Sequence, residues 1–100
     1  MTKPALYAEL KARTGKEEDV AKFPKGAEAL VAEEPETIAW FAVCYDHNTF
    51  AIFDAFNDEA GRQAHLNGKV AAALMARAAE LFETPPQIRM PEVLADKLPG

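Results

Sequence analysis

Residues 37–56 read TIAWFAVCYDHNTFAIFDAF, and they decide the fold. Two runs rich in β-branched and aromatic residues, 37–45 and 49–56, flank the turn formers Asp46, His47 and Asn48, the pattern of a β-hairpin. Both parities are apolar. On the first run Ile38, Trp40, Ala42 and Cys44 alternate with Ala39, Phe41 and Val43; on the second Phe50, Ile52 and Phe56 alternate with Ala51, Phe53 and Ala55. A sheet solvated on one face shows polar residues there, so this hairpin needs cover on both. Helices can supply one layer. A chain of 100 residues has little left for the other, and the simplest second layer is the same sheet from another copy. A homodimer is expected.

Outward from the hairpin, residues 4–12 (PALYAELKA) alternate as a strand, with Leu6, Ala8 and Leu10 on its apolar face. Thr14 and Glu17 have capping-box spacing, and Val20, Phe23, Ala27, Leu30 and Val31 recur at helical intervals, which predicts an amphipathic helix over 16–33. Pro24 removes a backbone donor and crowds the carbonyl of Val20, so a kink or break is expected near Phe23. Glu34-Pro35 ends the segment. After the hairpin, Asn57-Asp58 caps a short helix over 58–66, and Asn67-Gly68 interrupts or bends it. Residues 69–83 form a second helix with Val70, Leu74, Ala78, Leu81 and Phe82 inward. The tail QIRMPEVLADKLP is a weaker strand that Pro91 places at an edge or splits. The order β-α-β-β-α-β is the ferredoxin-like α+β arrangement with an antiparallel sheet, in one domain over residues 1–100.

Eleven Lys and Arg against 16 Asp and Glu give a formal charge of −5 with no basic block, which argues against nucleic acid as a partner. Cys44 is the single cysteine, so no intrachain disulfide forms; it is expected as a small core residue. The start MTKPALYAELK lacks the apolar stretch of a signal peptide, and no run has membrane-spanning length, so no membrane partner and a cytoplasmic location are expected. Without HxH, CxxC or HExxH spacing a dedicated metal site has little support, and GxGxxG and Walker patterns are absent. The chain contains no serine to act as a nucleophile.

His65 is the histidine of interest. Arg62 lies one turn before it and Lys69 one turn after, and cations with partial burial favour a neutral imidazole near pH 7. Such a group accepts a proton from an acidic phenol or holds the resulting anion. A half-buried histidine bonded to backbone is the alternative. Asp54 interrupts the apolar face of Ile52 and Phe56, and a buried carboxylate needs a mate, with Arg62 or a partner-chain residue the candidates. Trp40, Phe50, Phe53 and Phe56 together suit a flat apolar ligand, although each alone suits a core. His47, among turn formers, is expected in solvent.

The pattern Asp54-x-Phe56-x-Asp58-Glu59 followed by His65-Leu66, behind a first strand and helix of this length, resembles the antibiotic biosynthesis monooxygenase family. The resemblance spans nearly the whole chain and centres on residues 40–70. It implies ferredoxin-like units whose sheets pair into a dimeric α+β barrel, and a pocket between sheet and helices. In oxygenase members it implies oxidation of phenols or quinols by O₂ with no metal or flavin cofactor. Heme degradation is not implied: that branch places Asn on the first strand and Trp and His on the helical segment, where Ala8, His65 and Met75 stand here. The expected site has His65 as base or anion holder, Trp40 with Phe53 or Phe56 as walls, and Asp54 with Arg62 behind it. A non-catalytic module that binds a small apolar molecule, and a non-oxidative isomerase or cyclase, are the alternatives.

Overall fold

A computed structural model describes residues 3–98. Strands β1 (Lys3–Lys11), β2 (Thr37–Cys44), β3 (Thr49–Phe56), β4 (Gln87–Arg89) and β5 (Glu92–Val93) alternate with helices α1 (Glu17–Val31), α2 (Glu59–Leu66) and α3 (Lys69–Leu81) in the order β1-α1-β2-β3-α2-α3-β4-β5. The antiparallel sheet runs β2-β3-β1-β4, and β5 continues the tail along the start of β1. This is the ferredoxin-like α+β fold. Pro91 splits the tail into β4 and β5, since a residue without an N–H cannot continue the ladder.

Register sorts the side chains. Leu6, Ala8 and Leu10 stand opposite Asp54, Ile52 and Phe50 of β3, which in turn stand opposite Trp40, Ala42 and Cys44 of β2. This face lies under the helices. Leu10, Val20, Phe50, Ile52, Leu74, Leu81 and Phe82 form its main buried cluster, and Ala27, Val31 and Val70 form a second. Phe23 and Trp40 pack against both and join them. Each large side chain fully withdrawn from water contributes about 1.5–3 kcal/mol.

The opposite face carries Tyr7, Phe41, Val43, Phe53 and the small Ala51 and Ala55. Its large side chains reach solvent, with Phe41 52% exposed, Val43 45% and Tyr45 63%, while the small Ala51 and Ala55 between them are buried. Both faces of the hairpin are apolar, as read from the sequence, but only one is covered within the chain.

Several local expectations need correction. α1 continues unbroken through Pro24. The buried Val20 on one side of it and Ala27 and Val31 on the other hold both halves against the helices and sheet, outweighing one lost backbone bond. The capping box does not form: Lys16 is the N-cap without a side-chain bond, and the Gly15 N–H instead donates to Glu17 at 2.9 Å. Gly15 turns the chain at φ +89°, a conformation glycine adopts without strain. Cys44 is exposed, not a core residue, because β2 is an edge strand that slides out from under the helices. Asp58 does cap α2, accepting from the Gly61 N–H at 2.8 Å, and Asn67-Gly68 separates α2 from α3. No helix among the described residues is long and apolar enough to cross a membrane.

Candidate functional site

The one acidic residue on the covered face of β3 sets the site. Asp54 sits between Leu6 and Trp40 in the ladder, 2% exposed. A carboxylate there requires a counter-charge or a proton. α2 supplies the counter-charge: its capped first turn fixes the helix over the sheet, and its last turn brings His65 Nε2 to 2.9 Å from Asp54 Oδ2. On the far side of the ring, Nδ1 lies 2.6 Å from Glu34 Oε1. Phe56 packs on the imidazole with centroids 5.3 Å apart.

Glu34 comes from the connection between α1 and β2. The Thr37 hydroxyl donates to Glu34 Oε1 at 2.7 Å, and the Thr37 N–H donates to its backbone carbonyl at 3.2 Å. Gly61 lets α2 approach this connection: a Cβ on it would stand 2.8 Å from Glu36 Cβ. The absent side chain therefore positions His65 against Glu34.

This geometry decides the charge on His65. A neutral imidazole has one N–H and one lone pair, so it cannot satisfy carboxylates at both nitrogens. Burial pushes its pKa down, but Asp54 and then Glu34, by hydrogen bonding and by charge, push it up more strongly, and the net shift is upward. Carboxylates at both ring nitrogens thus favour the charged ring, the opposite direction from the neutral imidazole expected from the sequence. Of the two cations expected beside it, Lys69 lines the same groove as His65 and Glu34. Arg62 does not pair with Asp54: it grips Glu59 and donates through Nη1 to the carbonyls of Ala5 at 3.1 Å and Pro91 at 3.4 Å, tying α2 to β1 and the tail.

Beside Asp54 lies a small apolar cavity of about 50 Å³, walled by Leu6, Trp40, Ile52, His65, Leu74 and Ile88 among others. The Trp40 indole N–H is buried with no acceptor among the described residues. Phe53 is not a wall, because it stands opposite Tyr7 and Phe41 on the bare face. Phe56 is fully buried and supports the His65 ring from the core. His47 is exposed in the hairpin turn, where Asp46 accepts the N–H groups of Asn48 and Thr49. Among the described residues no group of three or more His, Cys, Asp or Glu side chains is arranged to hold a metal ion.

Glu34 is the residue that sequence reasoning missed. It stands 31 positions from His65, next to a proline that marks a helix end, and no spacing rule joins the two. The available signal was indirect: a carboxylate occupies one ring nitrogen of a buried imidazole, and the other nitrogen still needs a partner.

No family model matches the sequence, and no curated protein does. Among solved structures, a protein of unknown function from Nitrosomonas europaea is 54% identical, with 100% of this chain and 97% of that chain covered and a TM-score of 0.95. A structure described as an antibiotic biosynthesis monooxygenase is 13% identical over 96% of this chain and 99% of its own, with a TM-score of 0.75. A Mycobacterium tuberculosis protein, 13% identical, covers 94% of this chain and 97% of its own at a TM-score of 0.83. The chain therefore belongs to the family of the Nitrosomonas europaea protein, and its fold is that of the antibiotic biosynthesis monooxygenases.

Proposed function

We propose that this protein is a cofactor-independent monooxygenase acting on a small phenolic or quinone-type metabolite. The supporting observation is a buried carboxyl group, Asp54, in the wall of an otherwise apolar cavity, with the His65 imidazole 2.9 Å behind it. In this reading the protonated His65 ring supports Asp54, and Asp54 is the base. It takes the proton of a hydroquinone, and the electron-rich anion reduces O₂ directly. One oxygen atom enters the ring and the other leaves as water, so hydroquinone and O₂ give hydroxyquinone and water, a four-electron balance. The protein binds the substrate, deprotonates it and keeps water away from the intermediate.

Trp40 offers the substrate oxygen a donor. A buried N–H without a partner costs about 1–3 kcal/mol, which a ligand acceptor would recover. The cavity is far below the roughly 300–1,000 Å³ of ordinary ligand sites, so it holds the reacting edge only. Entry of the ring displaces Ile88, which is 48% exposed on the three-residue edge strand β4.

We also propose that two copies pair through the bare sheet face, with Phe41, Val43 and Phe53 at the contact. Light scattering at micromolar concentration should give twice the monomer mass; a monomer would exclude this pairing.

Oxygen uptake with a panel of hydroquinones and hydroxylated quinones tests the reaction. Wild type should consume O₂, and Asp54→Asn should lose about 10²–10⁴-fold, the usual contribution of a positioned base. Absence of uptake with every substrate would count against the oxygenase. Product formed under strict anaerobiosis would select an isomerase or cyclase, and ligand-induced thermal stabilisation without turnover a binding module.

A further inference from the structure

Among the described residues, His65 alone lines both the small cavity beside Asp54 and a second, larger groove. The groove, about 430 Å³, runs between Leu30, Pro35, Gly61 and Lys69, with Glu34 in its wall. Side-chain exposure rises stepwise along the contact chain, from 3% at Asp54 through 8% at His65 to 25% at Glu34. The inner carboxylate meets only cavity and protein; the outer one meets solvent.

We propose that Glu34, His65 and Asp54 form a proton relay that connects the small cavity beside the buried Asp54 to the outer groove. For the substrate step this rests on the oxygenase reading above. The substrate O–H bond breaks and its proton forms an O–H bond on Asp54. The imidazolium then loses one of its two stabilising anions while burial still disfavours its charge. Its Nδ1–H bond breaks in turn, the proton passing to Glu34 and from there to groove water. The Nε2 proton stays toward Asp54 throughout.

The three groups carry a net charge of −1 before the transfer, with two carboxylates and one imidazolium. They carry −1 after it, with one carboxylate, a neutral imidazole and a carboxylic acid. The trio's own charge is therefore unchanged, and the negative charge left by the released proton sits on the substrate anion that reduces O₂. When the reduced oxygen needs a proton, Asp54 returns its own, and His65 regains one from the groove through Glu34. No ring flip is required. Among the described residues, the other charged groups at the groove are Glu33, Glu36 and Lys69, and Asp54 is the only carboxylate facing the cavity. Glu36 is engaged by the Asn57 amide at 3.2 Å.

The test has an arm that needs no substrate. Exchange of the His65 Nδ1 proton with water is followed by ¹⁵N NMR in wild type and Glu34→Gln, at a pH where both rings are protonated. A relay predicts exchange at least tenfold slower in Glu34→Gln, because glutamine accepts the hydrogen bond but cannot take the proton. Glu34→Asp should restore the rate. Unchanged or faster exchange in Glu34→Gln, as expected when only an ion pair is lost, would overturn the relay. In the turnover arm, Glu34→Gln should lose at least tenfold in kcat with KM within twofold, and formate should rescue Glu34→Ala. If wild type oxidises nothing, the oxygenase reading fails and the exchange arm alone decides the relay.

Discussion

The two faces of this sheet are built from similar residues and have different fates. Under the helices, Leu10, Phe50, Ile52 and Phe56 are withdrawn from water, and the one carboxylate among them is answered by a histidine. On the other face Phe41, Val43 and Tyr45 stand in the open, and Phe53 is only half-buried. Apolar pattern alone does not separate the two. The partner of the polar intrusion does: Asp54 lies where a helix can bring a counter-charge, and the bare face has no buried charge to answer. A pocket forms on the first face, and the second keeps large apolar side chains in the open.

The sharpest way to break this contrast is to truncate one aromatic on each face. Phe56→Ala should lower stability by about 3–5 kcal/mol in urea denaturation, since the cavity it leaves is enclosed. Phe41→Ala should change the stability of the monomer by less than about 0.5 kcal/mol, yet shift the mass in light scattering toward monomer. Equal costs at the two positions would mean that the bare face is covered within the chain.

His65→Ala leaves the Asp54 carboxylate buried with no counter-charge and should cost about 3–5 kcal/mol at pH 7. The double variant Asp54→Leu with His65→Leu should recover most of that loss, because the expense lies in the unpaired charge and not in the missing side chain. Failure of the double variant to recover would point instead to lost packing on Phe56.

A smaller effect is expected at Gly61. Gly61→Ala drives a Cβ into Glu36 and should cost about 1–3 kcal/mol by thermal denaturation while weakening the Glu34–His65 contact. Smallest is the pH term. The folded pKa of His65 is raised, so its ionic contribution is complete below the unfolded value of about 6.5 and is lost as pH rises through the folded value. The stability gap between wild type and His65→Gln should therefore narrow above neutrality, measured by urea denaturation from pH 5.5 to 9.

Much of the fold was legible because period and turn chemistry agree across the chain. The hairpin register, the Asp58 cap and the Pro91 split follow from local rules that no long-range contact opposes. Pro24 does not break α1, because its penalty is local while the contacts of Val20 and Ala27 that offset it are tertiary. Cys44 looked buried by parity, but parity does not say how far along an edge strand the helices reach.

The site was legible in part. His65 and Asp54 stand out as polar residues on apolar faces, and they do meet. Arg62 was a reasonable mate for Asp54 by charge, but one turn along α2 redirects it to Glu59 and the tail carbonyls. Phe53 was placed in the pocket by chemistry alone, and its odd position relative to Asp54 turns it to the other face. Glu34 depends on how close two chain connections approach, which Gly61 permits and no spacing encodes.

The protonation state of His65 tests the account most directly. A ¹⁵N-resolved pH titration of the imidazole ring should show both nitrogens protonated at pH 6.5–7, with the transition displaced above the ordinary histidine value of about 6.5 and lowered by Asp54→Asn. A neutral ring carrying a single proton across that range would contradict the account, because neither the charge balance of the buried site nor the relay to Glu34 could then hold.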